Sequence, residues 1–186
     1  MKKIILPAAI FLFLFLFGFV SKNNAQSLTA DDIKTQLIKE WERAKVYTAE
    51  YLSTMPAEKY SLKANDSVRS YAQQMLHLAS GNVFLMSNAT DQPMLPWVSF
   101  DIDNRPGAQK PDSVAYYVNA SYDFCINAVK NSDISKWSEK KKLFGAFEET
   151  RFALMIKCFE HQTHHRGQTT IYIRLAGIKP PQEKLF

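Results

Sequence analysis

Four long segments with helical apolar periodicity, set apart by clusters of Pro, Gly, Asn and Asp, constrain this chain more than any other feature. The first is expected from about Ala30 to Ser53 after a Thr29 cap, with Ile33, Leu37, Trp41, Ala44, Thr48 and Tyr51 on its apolar face. The second should follow Asp66 or Ser67 and run to about Ser87, with Ala72, Met75, Ala79 and Met86 along one side. The third starts after Pro111 and continues to about Asn131. The fourth is read as one helix from about Ala146 to Ala176, passing through Gly167 and stopped by Gly177, Pro180 and Pro181. No stretch keeps strand alternation; Trp97 to Ile102 comes nearest and is short. The reading is therefore all-α, a four-helix bundle with two longer connectors, Met55 to Asn65 and Thr90 to Pro111.

The N-terminus is set aside from the fold. Met1-Lys2-Lys3, an apolar run from Ile4 to Val20 and a polar stretch ending at Ala25 are expected to be a signal peptide, residues 1–25, cleaved before Gln26. The competing reading is a retained membrane anchor, because the run approaches the roughly 18 residues that span a bilayer. Cleavage leaves one domain, residues 26–186, exported to the periplasm or the extracellular space. It also leaves 20 basic against 18 acidic residues, so the formal charge of +5 falls to near +2. With no basic stripe interleaved with aromatics, no nucleic-acid partner is expected. Cys125 and Cys158 are the only cysteines and are read either as two buried thiols or as one bridge.

Three of the four histidines fall within His161-Gln162-Thr163-His164-His165. Residues four apart on a helix differ by about 40° and lie one turn apart, so His161 and His165 can hold one divalent ion. His164 points away from that pair and is expected beside the ligands rather than among them. Gln168 and Cys158 share the pair's face and are the other candidate helpers, Cys158 also as a soft fourth ligand. The zinc-protease pattern needs Glu after its first His, where this chain has Gln162. Its inverted form needs Glu before the last His, where His164 stands. The third ligand must come from elsewhere, and His77, in the middle of the second segment, is the remaining histidine. Three neutral imidazoles leave open positions, as reactive rather than structural sites do. Gly81, one turn after His77, is read as leaving space for water or substrate. Gly167 is read as a point of close approach, and Arg166 as an ion-pair partner.

Ser67-Val68-Arg69-Ser70-Tyr71-Ala72 leading to Leu76-His77-Leu78-Ala79, and Phe159-Glu160-His161-Gln162-Thr163-His164-His165-Arg166-Gly167-Gln168 leading to Tyr172-Ile173-Arg174-Leu175-Ala176-Gly177, resemble the DinB-like (YfiT-like) proteins. The resemblance covers nearly the whole chain after residue 25. It implies a bundle of unusual helix order, often a homodimer, holding a divalent ion through His77, His161 and His165. Zinc or nickel is the expected metal, with manganese or iron behind them. The activities it implies are thiol-dependent transfer or isomerisation, or hydrolysis, on a small-molecule substrate that the sequence does not identify. Export sets this chain apart from cytosolic thiol-dependent relatives and directs the expectation to a metal-dependent hydrolase. A non-catalytic metal- or ligand-binding bundle is the alternative.

Overall fold

A computed structural model describes residues 27–186; the expected signal peptide and its cleavage point lie outside them. Four helices dominate: α1 (Ala30–Thr54), α2 (Tyr71–Thr90), α3 (Pro111–Asn131) and α4 (Arg151–Leu175). Among the described residues, no helix is long and apolar enough to cross a membrane.

Local chemistry sets the helix starts. Thr29 accepts from the Asp32 backbone N–H while Asp32 reaches back to Thr29, a capping box that fixes the first turn of α1. The second helix begins later than its apolar pattern suggests. Asn65 accepts from the Ser67 amide at 2.8 Å and closes a turn, so Ser70, paired with Gln73 in a second capping box, becomes the cap. Pro111 occupies the first turn of α3, where its missing N–H costs nothing.

The largest departure from expectation lies before α4. Residues 146–150 are not helical: β1 (Lys140–Leu143) pairs antiparallel with β2 (Phe147–Thr150), and Thr150 then caps α4 by accepting from the Ala153 amide. These strands carry Lys and Glu on most positions, with Lys140 and Glu148 joined at 2.8 Å and only Leu143 buried. An apolar alternation was therefore absent from the sequence. From Arg151 onward α4 runs unbroken through Gly167 as expected. Trp97 to Ile102 forms turns rather than a strand.

The helices do not follow one another around the bundle. α2 packs against α4 and α3, and α1 against α3 and α4, so α1/α2 and α3/α4 are diagonal pairs. Each diagonal needs a long crossover, which explains residues 55–70 and a third long connector, 132–150, that contains the hairpin. The core lies between all four helices around Trp41, Tyr71, Met75, Met86, Tyr122 and Met155. This order makes α2 and α4 extensively packed neighbours and brings His77 to face the histidine-rich turn of α4.

Candidate metal centre

His77 projects from the middle of α2 and His161 and His165 from successive turns of α4. Their ring centroids lie 5.3 Å (His77–His161), 4.6 Å (His77–His165) and 4.5 Å (His161–His165) apart. One nitrogen from each falls within 4.8 Å of the other two, so the trio could hold a metal ion. Cys158 is not part of this group. Its thiol donates to the Asn82 carbonyl at 3.4 Å inside the core, and Cys125 donates to the same oxygen at 3.5 Å. Both thiols are free and buried, and burial holds Cys125 well above the ordinary thiol range. Of the two readings of Cys158, burial holds and fourth-ligand placement does not: core packing turns the thiol toward a backbone carbonyl.

The surroundings of the trio fit an ion. The Nδ1 atom of His161 is buried with no hydrogen-bond partner among the described residues, an unsatisfied lone pair or proton of the kind that a ligand normally answers. His165 is oriented by Gln74, whose Oε1 lies 2.9 Å from Nδ1. An amide oxygen only accepts, so Nδ1 carries the proton and Nε2 keeps its lone pair for coordination. Burial, reinforced by the neighbouring histidines, lowers His161 to about 4 and His165 to about 3. Burial also lowers His77, with Arg69 acting in the same direction and Asp103 opposing. All three are thus neutral, the form that binds metal. Proton competition moves below the pH of about 5 that an ordinary histidine would give.

Gly81 has a different role from the one its position suggested. A Cβ there would stand 2.2 Å from His161 Cε1 and 2.7 Å from Nδ1, so the missing side chain makes room for the imidazole itself, not for water. Gly167 is exposed, and an added Cβ would meet nothing within 4 Å among the described residues, so the expected close approach is absent from them. His164 is exposed and packs edge-on against His165, 5.0 Å between centroids, while Gln168 Nε2 contacts it at 3.0 Å. Both helpers therefore stand beside the trio, and Gln168 engages His164 rather than a ligand.

Arg166 also differs from expectation. It is buried, with no carboxylate within ion-pair distance among the described residues. It donates instead to Gln162 Oε1 at 3.1 Å and Thr48 Oγ1 at 3.3 Å, with its guanidinium 4.5 Å above the Tyr47 ring.

Two cavities open beside the histidines. One, of about 280 Å³, has His77, Gly81, Phe84, Phe100 and Phe144 among its walls. The other, of about 570 Å³, is more polar and reaches Gln74, His164, His165 and Gln168. Arg69 and Asp103 border both, joined by an Arg69 Nε to Asp103 Oδ2 bond of 2.9 Å. Tyr172 OH donates to the Arg69 carbonyl at 2.6 Å and so ties this segment to α4. Sequence analysis missed Gln74, which its place as a polar residue one turn before His77 could have signalled. Arg69 and Asp103 lie in connectors 34 residues apart, where no periodicity could have joined them.

The DinB family model matches residues 114–185, which span α3, the hairpin and the α4 histidines. No curated protein matches the chain. Among solved structures, a DinB-like protein from Bacillus cereus has a TM-score of 0.69 and 16% identity, covering 81% of this chain and 97% of its own. A DinB-like protein from Bacillus subtilis gives 0.60 and 16% identity over 81% and 96% of the two chains. At that identity the structures speak to fold, and the family match speaks to the helix that carries two of the three histidines. The chain thus shares the fold of DinB-like proteins, and its segment 114–185 is similar to the DinB family.

Proposed function

We propose that this protein is a metal-dependent enzyme, exported after cleavage at Ala25, that hydrolyses a small molecule at an ion held by His77, His161 and His165. The observation that carries the reading is the convergence of three neutral, partly buried imidazoles beside two cavities, one with a partnerless buried nitrogen. A bound divalent ion would polarise a substrate oxygen and acidify a coordinated water. The chain's own residues do the rest. Gln74 fixes the His165 tautomer, Gly81 admits the His161 ring, and Arg69 with Asp103 supplies fixed charge at the rim. That Cys158 turns away favours a reactive site over a closed four-ligand structural one. Zinc or nickel suits three imidazoles best.

The experiment is a screen of ester, amide and lactone hydrolysis by the mature chain, loaded with zinc, nickel, manganese or iron in turn. Turnover that depends on metal and disappears in His165→Ala supports the reading. Metal binding without turnover on any substrate class would favour the non-catalytic binding bundle.

A further inference from the structure

We propose that the site takes a small molecule in which a flat apolar group is joined to an anionic oxygen group. The flat group would lie among Phe84, Phe100 and Phe144, and the anion would lie at Arg69. This deepens the metal-dependent reading and rests on it only for what happens at the anionic end.

Phe144 carries the inference. It sits in the three-residue hairpin loop 144–146 with φ +50°, followed by Gly145 at +71°, the two central residues of a turn closed by the Ala146 amide donating to the Leu143 carbonyl at 3.1 Å. That turn places both central residues in the left-handed region, where Asn, Asp or Gly is the favoured choice and a phenylalanine is strained. The strain does not serve to bury the ring, because Phe144 remains 66% exposed. Its ring instead lies nearly parallel to Phe84, centroids 5.3 Å apart and planes at 24°. Phe100, 80% exposed, flanks Phe84 from another side at 5.4 Å. Two phenyl groups kept in solvent around a cavity of about 280 Å³ are an open aromatic slot, suited to stacking a flat guest. Outliers of this kind persist where the surrounding structure holds them, and they cluster at ligand sites.

The charge at the rim fixes the other half of the ligand. Arg69 uses only Nε on Asp103; its two terminal nitrogens make no hydrogen bond to the described residues. A guanidinium with free donors at the mouth of an apolar slot matches a carboxylate or a similar oxyanion. The same cavity touches His77, so an anion at Arg69 would lie alongside the histidines while its apolar partner fills the slot.

The test uses the full chain, with and without zinc, and three probes: naphthaleneacetate, acetate and neutral naphthalenemethanol. Calorimetry or ligand-observed NMR should show naphthaleneacetate binding at least about tenfold tighter than acetate in both conditions. Phe144→Asn suits the turn and removes the ring. It should keep or raise the melting temperature while weakening naphthaleneacetate about three- to tenfold. Arg69→Gln should abolish the preference for naphthaleneacetate over naphthalenemethanol. Equal affinity for naphthaleneacetate and acetate, or unchanged naphthaleneacetate affinity in Phe144→Asn, would overturn the proposal. Loss of zinc binding by the wild-type chain with the aromatic preference intact would sink the metal reading and leave this one standing.

Discussion

Two pairs of side chains, each one turn apart on α4, stand in neighbouring positions and have opposite fates. Gln162 and Arg166 face α1 and α3, where Thr48, Tyr122 and the Tyr47 ring answer their polar atoms; Tyr122 OH donates to Gln162 Oε1 at 2.7 Å, beside the Arg166 donor. His161 and His165 face α2, where Gln74 answers one nitrogen and a buried nitrogen of His161 is left with none. Both pairs are polar groups taken out of water, which is costly unless they are partnered. The satisfied pair holds helices together. The unsatisfied pair is held in place by the fold and left open to something the chain does not supply.

The largest expected effect on stability belongs to the satisfied pair. Arg166→Ala leaves Thr48 and Gln162 short of a donor and opens a void over Tyr47, and should cost about 3 kcal/mol. That is a melting temperature about 6–12 °C lower by calorimetry. A loss under about 1 kcal/mol would mean the network is ornamental and the contrast between the two pairs is false.

On the other side, Gln74→Leu removes the acceptor that fixes the His165 tautomer. Metal affinity should fall about 10- to 100-fold by competitive chelator titration while the fold survives. Unchanged affinity would show that Nε2 is not the coordinating nitrogen.

Titration separates the pairs next. His161 and His165 lie at about 4 and 3 when folded, against about 6.5 in the unfolded chain. Between those values the unfolded chain binds protons that the folded, metal-free chain refuses, so stability falls as pH drops below about 6.5. The melting temperature of the metal-free chain should therefore decline from pH 7 to pH 5, and less steeply in His161→Leu/His165→Leu. The Arg166 network, which holds no group titrating in that window, should contribute no slope. Identical slopes in the wild type and the double variant would contradict the lowered values.

The two helical glycines give the smallest effect and a sharp contrast. Gly167→Ala meets open space and should add about 1 kcal/mol of stability with metal binding unchanged. Gly81→Ala drives a methyl into the His161 ring and should weaken metal binding. Equal behaviour of the two in a chelator titration would deny Gly81 its role.

The helices and the histidine trio were legible because both rest on periods of three and four residues, which a sequence displays directly. The i, i+4 spacing of His161 and His165, and the mid-helix place of His77, needed only α2 and α4 to be neighbours. What was not legible depends on contacts between distant segments. Gly81 and Gly167 look alike in sequence, and only the packed fold shows that His161 fills the space above one and that no described residue lies above the other. The start of α4 was misplaced because a charged hairpin with a single buried residue has no apolar signature. The aromatic slot joins α2, a connector and a hairpin tip, and Phe144 in a left-handed turn runs against turn preferences rather than following them.

The central claim, that the open pair and His77 form one metal site, is tested most directly by zinc calorimetry on the purified chain and four variants. One equivalent should bind to the wild type. His77→Ala, His161→Ala and His165→Ala should each weaken it at least about 100-fold, whereas His164→Ala, which removes an edge contact with His165 and a contact with Gln168, should change it less than about tenfold. Equal losses from His164→Ala and His165→Ala, or full affinity without His77, would contradict the account.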